Sequence, residues 1–199
     1  MSARDVVLVD AGGTNIGSLR YALGRLGVDA QVSDDGERIR RASHVILPGV
    51  GAAGPGMARL QQAGLVELMR NLEQPVLGVC LGMQLLFEHS EEGDTACLGV
   101  IPGRVARIPA AGGRRVPHMG WNALQRVRED ALFDGIAAQA FVYFVHSYAV
   151  PIGDSTVASV DYGLSYSAIV RHRNYCGMQF HPERSSSTGA ALLKNFLSP

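Results

Sequence analysis

The sequence predicts an α/β protein with a central, mostly parallel β-sheet flanked by helices and an added antiparallel region in the C-terminal half. In the first half, short apolar runs alternate with segments whose apolar residues recur at helical spacing, which is typical of parallel strands covered by helices. From Gly99 onward, strand-like runs follow one another with few helices between them, which favours antiparallel pairing. We expect residues 1–199 to form a single domain.

The elements follow from these patterns in chain order. In the first half, strands are predicted at residues 6–10, 28–32, 44–47 and 76–80. Helices are predicted at 16–26 (closed by Gly27), at 57–72, and from about residue 81 through Phe87. In the second half, strands are predicted at 100–108, 116–127, 141–150, 156–160, 167–173 and 175–180, and a closing helix at about 188–197.

Composition excludes several classes of protein. The 18 basic and 18 acidic residues balance, so no net charge attracts nucleic acid or an anionic membrane. Three widely spaced cysteines do not suggest a disulfide framework, and no apolar run has the length of a signal peptide or membrane span. We expect a cytoplasmic protein with neither nucleic acid nor membrane as a partner.

A cysteine flanked by glycines stands at the junction of a predicted strand and helix. Gly78 and Gly82 lie two residues on either side of Cys80. This Gly-x-Cys-x-Gly spacing suits a sharp strand-to-helix turn that holds a nucleophile in a strained conformation. The N–H of Leu81 would then point to where an oxyanion forms. A buried structural cysteine between two packing glycines is the alternative.

A histidine and a glutamate separated by one proline follow the last predicted strand. Residues two apart in extended chain point the same way, so Glu183 can sit behind the imidazole of His181. A thiol nucleophile needs a base, and that base needs an orienting group on its other nitrogen. Together with Cys80, this motif predicts a Cys-His-Glu catalytic triad.

The remaining candidate residues and segments give weaker indications of a functional site. The loop at residues 48–51 (PGVG) could supply a second oxyanion donor, or it could be an ordinary tight turn. Cys97 and Cys176 lack the glycine elbow, and His44, His89 and His172 have no zinc-ligand spacing with cysteine. The N-terminal AGGTNIG segment does not follow the dinucleotide-binding pattern. We therefore expect no metal and no cofactor.

Taken together, these motifs resemble class I glutamine amidotransferases. The resemblance rests on Gly78–Leu85 (GVCLGMQL), the PGVG loop and His181-Pro182-Glu183, in that chain order. Three further stretches, PHMGWN at 117–122, YFVHSY at 143–148 and HPERSS at 181–186, are similar to the glutaminase subunits of imidazole glycerol phosphate synthases. Arg184 stands where those subunits often have lysine, and loop 110–115 has no clear counterpart. The resemblance implies a class I glutamine amidotransferase-like fold.

The resemblance also implies residue roles. Cys80 would attack the glutamine amide, His181 would shuttle protons and Glu183 would orient it. A peptide near Val50 and the N–H of Leu81 would hold the oxyanion. Glutamine would be bound by Gly49, Gly51, Gln84, Ser147 and Tyr148, and a partner would be met by Asn15, Trp121, Tyr143 and Arg184. Ordinary core packing is the alternative for Trp121.

The partner implied by the resemblance is a (β/α)8-barrel cyclase, with which the chain would form a heterodimer. The cyclase would use the ammonia to make imidazole glycerol phosphate and aminoimidazole carboxamide ribotide in histidine biosynthesis. Two alternatives remain open: another enzyme on the same elbow, either a stand-alone hydrolase or a glutaminase for a different synthase, and a non-catalytic redox or stress protein. The oriented base in His-Pro-Glu disfavours the redox protein, and residues 117–122 disfavour other glutaminases.

Overall fold

The computed structural model describes residues 5–10, 15–110 and 115–198. The N-terminal glycine-rich loop 11–14, excluded above as a dinucleotide site, and most of loop 110–115 lie outside the described residues. The described elements are β1 (Val6–Val9), α1 (Ile16–Arg25), β2 (Gln31–Ser33), α2 (Gly36–Arg41), β3 (His44–Gly49), α3 (Ala53–Gln62), α4 (Val66–Arg70), β4 (Val76–Cys80), α5 (Leu81–Leu85), β5 (Phe87–Ser90), β6 (Thr95–Ala96), β7 (Ile101–Arg107), β8 (His118–Ala123), β9 (Gln125–Arg126), β10 (Phe141–His146), β11 (Tyr148–Ala149), β12 (Thr156–Asp161), β13 (Ser165–His172), β14 (Tyr175–Met178) and α6 (Ser186–Phe196). Two short 3-10 helices occupy Ala131–Phe133 and Pro182–Arg184.

The main sheet has eight strands in the order β2-β1-β3-β4-β14-β13-β12-β9. The first five are parallel, and the last three join antiparallel. β14 lies directly beside β4, with Met178 opposite Val79. Because the two strands are parallel, the residues that follow them, including His181, emerge at the same edge as Cys80.

Two smaller sheets complete the second half. β8 and β10 form an antiparallel hairpin-like pair, in which Tyr143 lies opposite Trp121. β11, β7, β5 and β6 form a four-stranded sheet in which only β5 and β7 are parallel. The fold-class prediction of a mostly parallel sheet with an added antiparallel region is confirmed.

Helices cover both faces of the main sheet, as its strand sequences require. Along β1, Val6 and Leu8 face one apolar cluster, whereas Val7 and Val9 face a second one. The first cluster contains residues of α1 and α6, and the second contains residues of α2, α3, α4 and α5. Successive side chains of a strand point to opposite faces of the sheet. A strand that is buried on both faces therefore consists of consecutive apolar residues.

Several element boundaries differ from the predictions. The predicted helix at 57–72 is two helices, α3 and α4, because Gly64 between them adopts φ +67°. The predicted elbow helix does not reach Phe87; α5 ends at Leu85, and Phe87 opens β5 by pairing with Ile101. His89 also lies in this strand.

Three predicted strands are also corrected. The strand at 28–32 is only Gln31–Ser33, the part of this edge segment that pairs with β1. The predicted strands 116–127 and 141–150 each divide in two, near Leu124 and Ser147, because their two ends pair in different sheets. Pairing over long sequence separations decides these breaks, so local patterns could not show them. Within the described residues, no helix is both long and apolar enough to cross a membrane.

Candidate active site

Cys80 occupies a strained turn between β4 and α5. Its backbone has φ 53° and ψ −111°, and a positive φ is unfavourable for any residue with a side chain. The flanking glycines allow close contact around it. A Cβ added to Gly82 would lie 1.9 Å from the carbonyl oxygen of Leu47, and one on Gly78 would lie 2.6 Å from the carbonyl oxygen of Gly82. The Gly-x-Cys-x-Gly spacing is therefore a requirement of strand-to-helix packing.

His181 and Glu183 lie next to Cys80 at the same edge of the sheet. His181 interacts with Cys80, which raises the pKa of the imidazole, and its Nδ1 lies 2.9 Å from Oε1 of Glu183. Asn15, at the start of α1, donates from its side-chain amide to the same carboxylate oxygen. The side chains of His181 and Glu183 are 8% and 1% exposed, so both interactions are shielded from water. The arrangement joins a thiol, an imidazole and a carboxylate in sequence.

The surroundings favour the charged forms of both groups. Burial lowers the pKa of His181, but the hydrogen bonds and charges of Cys80 and Glu183 outweigh it and raise that pKa to about 10. Burial also opposes ionisation of Glu183, but hydrogen bonds from His181 and Asn15 and the charge of His181 hold its pKa below the usual value. The surroundings therefore favour an imidazolium at His181 and a carboxylate at Glu183.

A pocket of about 300 Å³ opens over the sulfur, a volume suited to a small molecule. Among the predicted site residues, those on its wall are Val50, Gly51, Cys80, Leu81, Gln84, Ser147, Tyr148 and His181. Gly49 is not among the lining residues; it ends β3 opposite Cys80, where an added Cβ would lie 2.6 Å from the main-chain nitrogen of Gly82. Gly49 thus packs beneath the turn at Cys80, and this position does not indicate direct contact with substrate.

The amide of Gln84 has a defined orientation in this pocket. Its Nε2 lies 2.9 Å from the carbonyl oxygen of Tyr148 and 2.9 Å from Oε1 of Gln179. A main-chain carbonyl can only accept, so the nitrogen of Gln84 faces Tyr148. The amide oxygen of Gln84 makes neither of these two contacts.

The four residues predicted at a partner interface lie around the triad. The rings of Trp121 and Tyr143 pack edge-to-face at 5.9 Å, and the guanidinium of Arg184 lies 4.8 Å from the centroid of Tyr143. Trp121 is 52% exposed, so the core-packing alternative is wrong for it. We call Trp121, Tyr143 and Arg184 the aromatic cluster. Asn15 contacts the triad itself rather than this cluster.

Comparison with known proteins assigns this geometry to a family. The profile of the class-I glutamine amidotransferases matches residues 7–198. The chain belongs to the class-I glutamine amidotransferase family. A solved structure described as a glutamine amidotransferase has a TM-score of 0.75 at 21% identity, covering 96% of each chain. PurLQS from Thermotoga maritima has a TM-score of 0.74 at 19% identity, covering 99% of this chain and 98% of that one. These two likenesses concern the fold.

Curated relatives of this amidotransferase are much more similar in sequence. The imidazole glycerol phosphate synthase subunit HisH of Xanthomonas euvesicatoria is 58% identical over 193 residues, which cover 97% of this chain and 96% of the relative. The protein of the same name from Xylella fastidiosa is 54% identical over the same shares of both chains. The chain is thus a glutamine amidotransferase enzyme with HisH-like sequence.

The two other cysteines of this amidotransferase are buried neutral thiols. Burial raises the pKa of Cys97 to about 11 and that of Cys176 to about 12. Cys80 alone of the three lines the pocket. In the part of the chain that the structure describes, no group of three or more His, Cys, Asp or Glu side chains is arranged to hold a metal ion.

Sequence reasoning missed four polar residues at or near the amidotransferase pocket. Glu92 and His146 lie on its wall, Gln179 lies between Gln84 and the sulfur, and His118 lies behind His146. Glu92 follows a short strand with no local signal. Gln179 did have a local signal. It stands two residues before His181 in extended chain, where side chains two apart face the same way.

His118 and His146 form a buried pair. Nδ1 of His118 lies 3.1 Å from Nε2 of His146, and the ring of His118 stacks between Phe144 and Tyr162. Burial lowers the pKa of each to about 4. Both are therefore neutral at physiological pH, in contrast to His181.

Proposed function

We propose that this amidotransferase is the glutaminase subunit of an imidazole glycerol phosphate synthase in cytoplasmic histidine biosynthesis. It hydrolyses L-glutamine through a thioester on Cys80 and passes ammonia to a (β/α)8-barrel cyclase with which it forms a heterodimer. The observation that carries the chemistry is the buried Cys80–His181–Glu183 arrangement beneath a small pocket. The curated relatives are named as subunits of imidazole glycerol phosphate synthase, which supports this synthase over others.

Acylation requires the sulfur of Cys80 to attack as a thiolate while His181 holds the proton. The sulfur of Cys80 attacks the side-chain amide carbon of glutamine, and the carbonyl oxygen becomes an oxyanion. The C–N bond then breaks, and His181 gives its proton to the departing nitrogen, so ammonia leaves and the thioester remains. The raised pKa of His181 supports its role as the proton donor, because it favours the protonated imidazole.

The oxyanion would be held by main-chain donors. Leu81 is the first residue of α5, and the N–H groups of a helix's first turn have no partner within the helix. The second donor would come from the Val50–Gly51 peptide region on the same pocket wall, where Gly51 adopts φ +105°. A donor of this kind contributes about 3–4 kcal/mol to transition-state stabilisation.

The pocket also offers groups complementary to the amino-acid end of glutamine. Glu92 supplies a carboxylate for the α-ammonium, and its Oε2 is held by the main-chain N–H of Ala53 at 2.8 Å. The amide oxygen of Gln84 would accept a hydrogen bond from the ligand. Ser147 and Tyr148 close the opposite side of the pocket.

Deacylation reverses the proton movement. Neutral His181 takes a proton from a water molecule, which attacks the thioester carbon and expels the sulfur as glutamate forms. Ammonia in open water would be protonated and lost, so transfer to an adjoining acceptor site is required. Met119, Trp121 and Phe141, which are 62%, 52% and 54% exposed on β8 and β10, form an apolar surface suited to the cyclase.

The test is glutamate and ammonia release from glutamine, measured for the chain alone and with the cyclase and its nucleotide ligand. We expect slow hydrolysis alone and a rise of about 10²–10³-fold in the complex, the effect of completing one oxyanion donor. Equal rates in both conditions would indicate a stand-alone amidase. Activation by a different synthase, but not by the cyclase, would assign the chain to that synthase.

A further inference from the structure

Two side chains donate to one main-chain carbonyl beside the active site. The oxygen of Tyr148 lies 2.9 Å from Nε2 of Gln84 and 2.8 Å from Nδ1 of His146. A carbonyl oxygen has two lone pairs and no proton to give. Both contacts must therefore be donations to Tyr148, and they fill its accepting capacity.

This carbonyl determines the orientation of two glutamine amides in turn. Since the nitrogen of Gln84 faces Tyr148, the same nitrogen meets Gln179 at 2.9 Å, and Gln179 must present its oxygen there. The nitrogen of Gln179 is then directed at Cys80, with Nε2 3.9 Å from Sγ. Gln179 is fully buried, so water does not compete for this contact.

From this geometry we propose that Gln179 donates a hydrogen bond to the sulfur of Cys80 and stabilises the thiolate, in an orientation imposed by the Tyr148 carbonyl through Gln84. The inference rests on the proposed function, since it assigns a further residue to the same nucleophile. Register explains the placement: Met178 pairs with Val79, so the next residues, Gln179 and Cys80, lie side by side. His181 and Gln179 thus both face the sulfur from the segment that follows β14.

The second lone pair of the Tyr148 carbonyl accepts a hydrogen bond from His146, one member of the buried histidine pair. His146 must carry its proton on Nδ1 to donate to Tyr148, which leaves Nε2 as an acceptor for Nδ1–H of His118. The Nε2 atom of His118 then accepts from the side-chain amide of Asn122 at 3.5 Å. Both rings must be neutral for this pattern, in agreement with their lowered pKa values. The titratable groups acting on His146 are His118 and His181.

The first experiment measures the pH profile of Cys80 alkylation by iodoacetamide on the full chain. Gln179→Leu removes the donor, and we expect it to move the midpoint upward by about one pH unit. Gln179→Met keeps an unbranched side chain of similar length but lacks the amide donor, and we expect an upward shift from it as well. Tyr162→Phe is the control, because its hydroxyl donates to the carbonyl of Arg115, away from this site, and its ring is retained.

The outcomes are distinct. An unchanged midpoint in folded Gln179→Leu or Gln179→Met overturns the proposal. If Gln179→Leu fails to fold, Gln179→Met carries the test. Alkylation does not require glutamine turnover. A chain that lacks glutaminase activity but shows these shifts would refute the proposed function and leave this inference standing.

The second experiment uses the unaltered chain with ¹⁵N-labelled histidine. Long-range ¹H–¹⁵N spectra distinguish the two neutral tautomers, and we expect His118 and His146 to carry the proton on Nδ1 between about pH 6 and 8. A proton on Nε2 of His146 would remove its donation to Tyr148. That result would overturn the assignment of the carbonyl as the group that orients Gln84 and Gln179.

Discussion

The main-chain N–H of His181 donates a hydrogen bond to the carbonyl oxygen of Tyr143 at 2.9 Å. The N–H of Tyr143 donates in turn to Oγ of Ser185 at 2.9 Å, and that hydroxyl donates to the carbonyl of His181 at 2.7 Å. The ring of Tyr143 meanwhile packs against Trp121 and Arg184 on the exposed side. A partner that moves the aromatic cluster therefore acts on the segment that carries His181, the imidazole of the proposed triad.

Removing the Trp121 side chain should disturb coupling to the partner more than folding. Trp121 is exposed and contacts Tyr143, so Trp121→Ala loses little buried surface in the isolated chain. We expect its thermal midpoint to stay near wild type while cyclase-stimulated glutaminase activity, or ammonia transfer, falls by tenfold or more. The measurements are thermal unfolding and glutamate release with the cyclase present.

Ile152→Ala is the matched control for Trp121→Ala. Ile152 is 46% exposed but lies outside the β8–β10 pair. We expect stimulation by the cyclase to remain intact in this variant. Full stimulation of Trp121→Ala would remove the aromatic cluster from the interface.

Cys80 should be the only catalytic thiol. Cys80→Ala should fold like the wild type and lose glutaminase activity by about 10⁴-fold or more, the usual cost of a missing nucleophile. An electrophilic glutamine analogue should label Cys80 and spare Cys97 and Cys176, whose raised pKa values keep them as thiols. Mass spectrometry of the labelled chain gives the position; a label on Cys97 would contradict the assignment.

His181 and Glu183 should differ in importance. His181→Ala removes the group that protonates the leaving nitrogen and is expected to be nearly inactive. Glu183→Gln keeps a hydrogen-bond acceptor for the imidazole but removes a charge that raises its pKa. We therefore expect Glu183→Gln to retain more activity, with the alkaline limb of its kcat/KM profile moved to lower pH. An active His181→Ala in the presence of the cyclase would refute the triad.

Glu92 should contribute to binding rather than to chemistry. Its carboxylate lines the pocket, so Glu92→Gln removes the charge that complements an α-ammonium. A charged hydrogen bond of this kind is worth about 1.5–3 kcal/mol, so KM for glutamine should rise by roughly tenfold or more while kcat changes little. The exposed Glu73→Gln serves as the control. A fall in kcat with unchanged KM would assign Glu92 a different role.

The buried histidine pair should make the fold sensitive to acid. His118 and His146 have pKa values of about 4 in the folded chain, against 6.5 for the free side chain. Their neutral burial therefore contributes stability above pH 6.5 that is lost as the pH falls from there through 4. For a single histidine the loss approaches about 3 kcal/mol.

His118→Phe tests this acid sensitivity, because it keeps a ring between Phe144 and Tyr162 but removes a titrating group. We expect a lower stability at pH 7 but a flatter decline to pH 4.5 in urea unfolding. His172→Phe, in the partly exposed end of β13, should keep the wild-type slope. Identical slopes for His118→Phe and wild type would show that the pair does not titrate on unfolding.

The proximity of Cys80, His181 and Glu183 could be predicted from the sequence because its signals are local. Gly78 and Gly82 lie at the two points where strand and helix come too close for a Cβ. Their spacing around Cys80 therefore indicates the turn without knowledge of the tertiary structure. His181 and Glu183 face the same way because extended chain has a period of two. Alternation of apolar strands and helices likewise determined the parallel half of the sheet.

Tertiary structure decided what depends on contacts between distant segments. Phe87 has the apolar character of a helix position, yet pairing with Ile101 makes it a strand residue. Trp121 is apolar, yet its place on a two-stranded sheet exposes it. Gln84, Tyr148 and Gln179 meet across 64 and 95 residues of sequence, and only the register of β14 beside β4 brings the last of them to the sulfur. A hydrogen bond depends on positions within a few tenths of an ångström, which no local pattern of residues specifies.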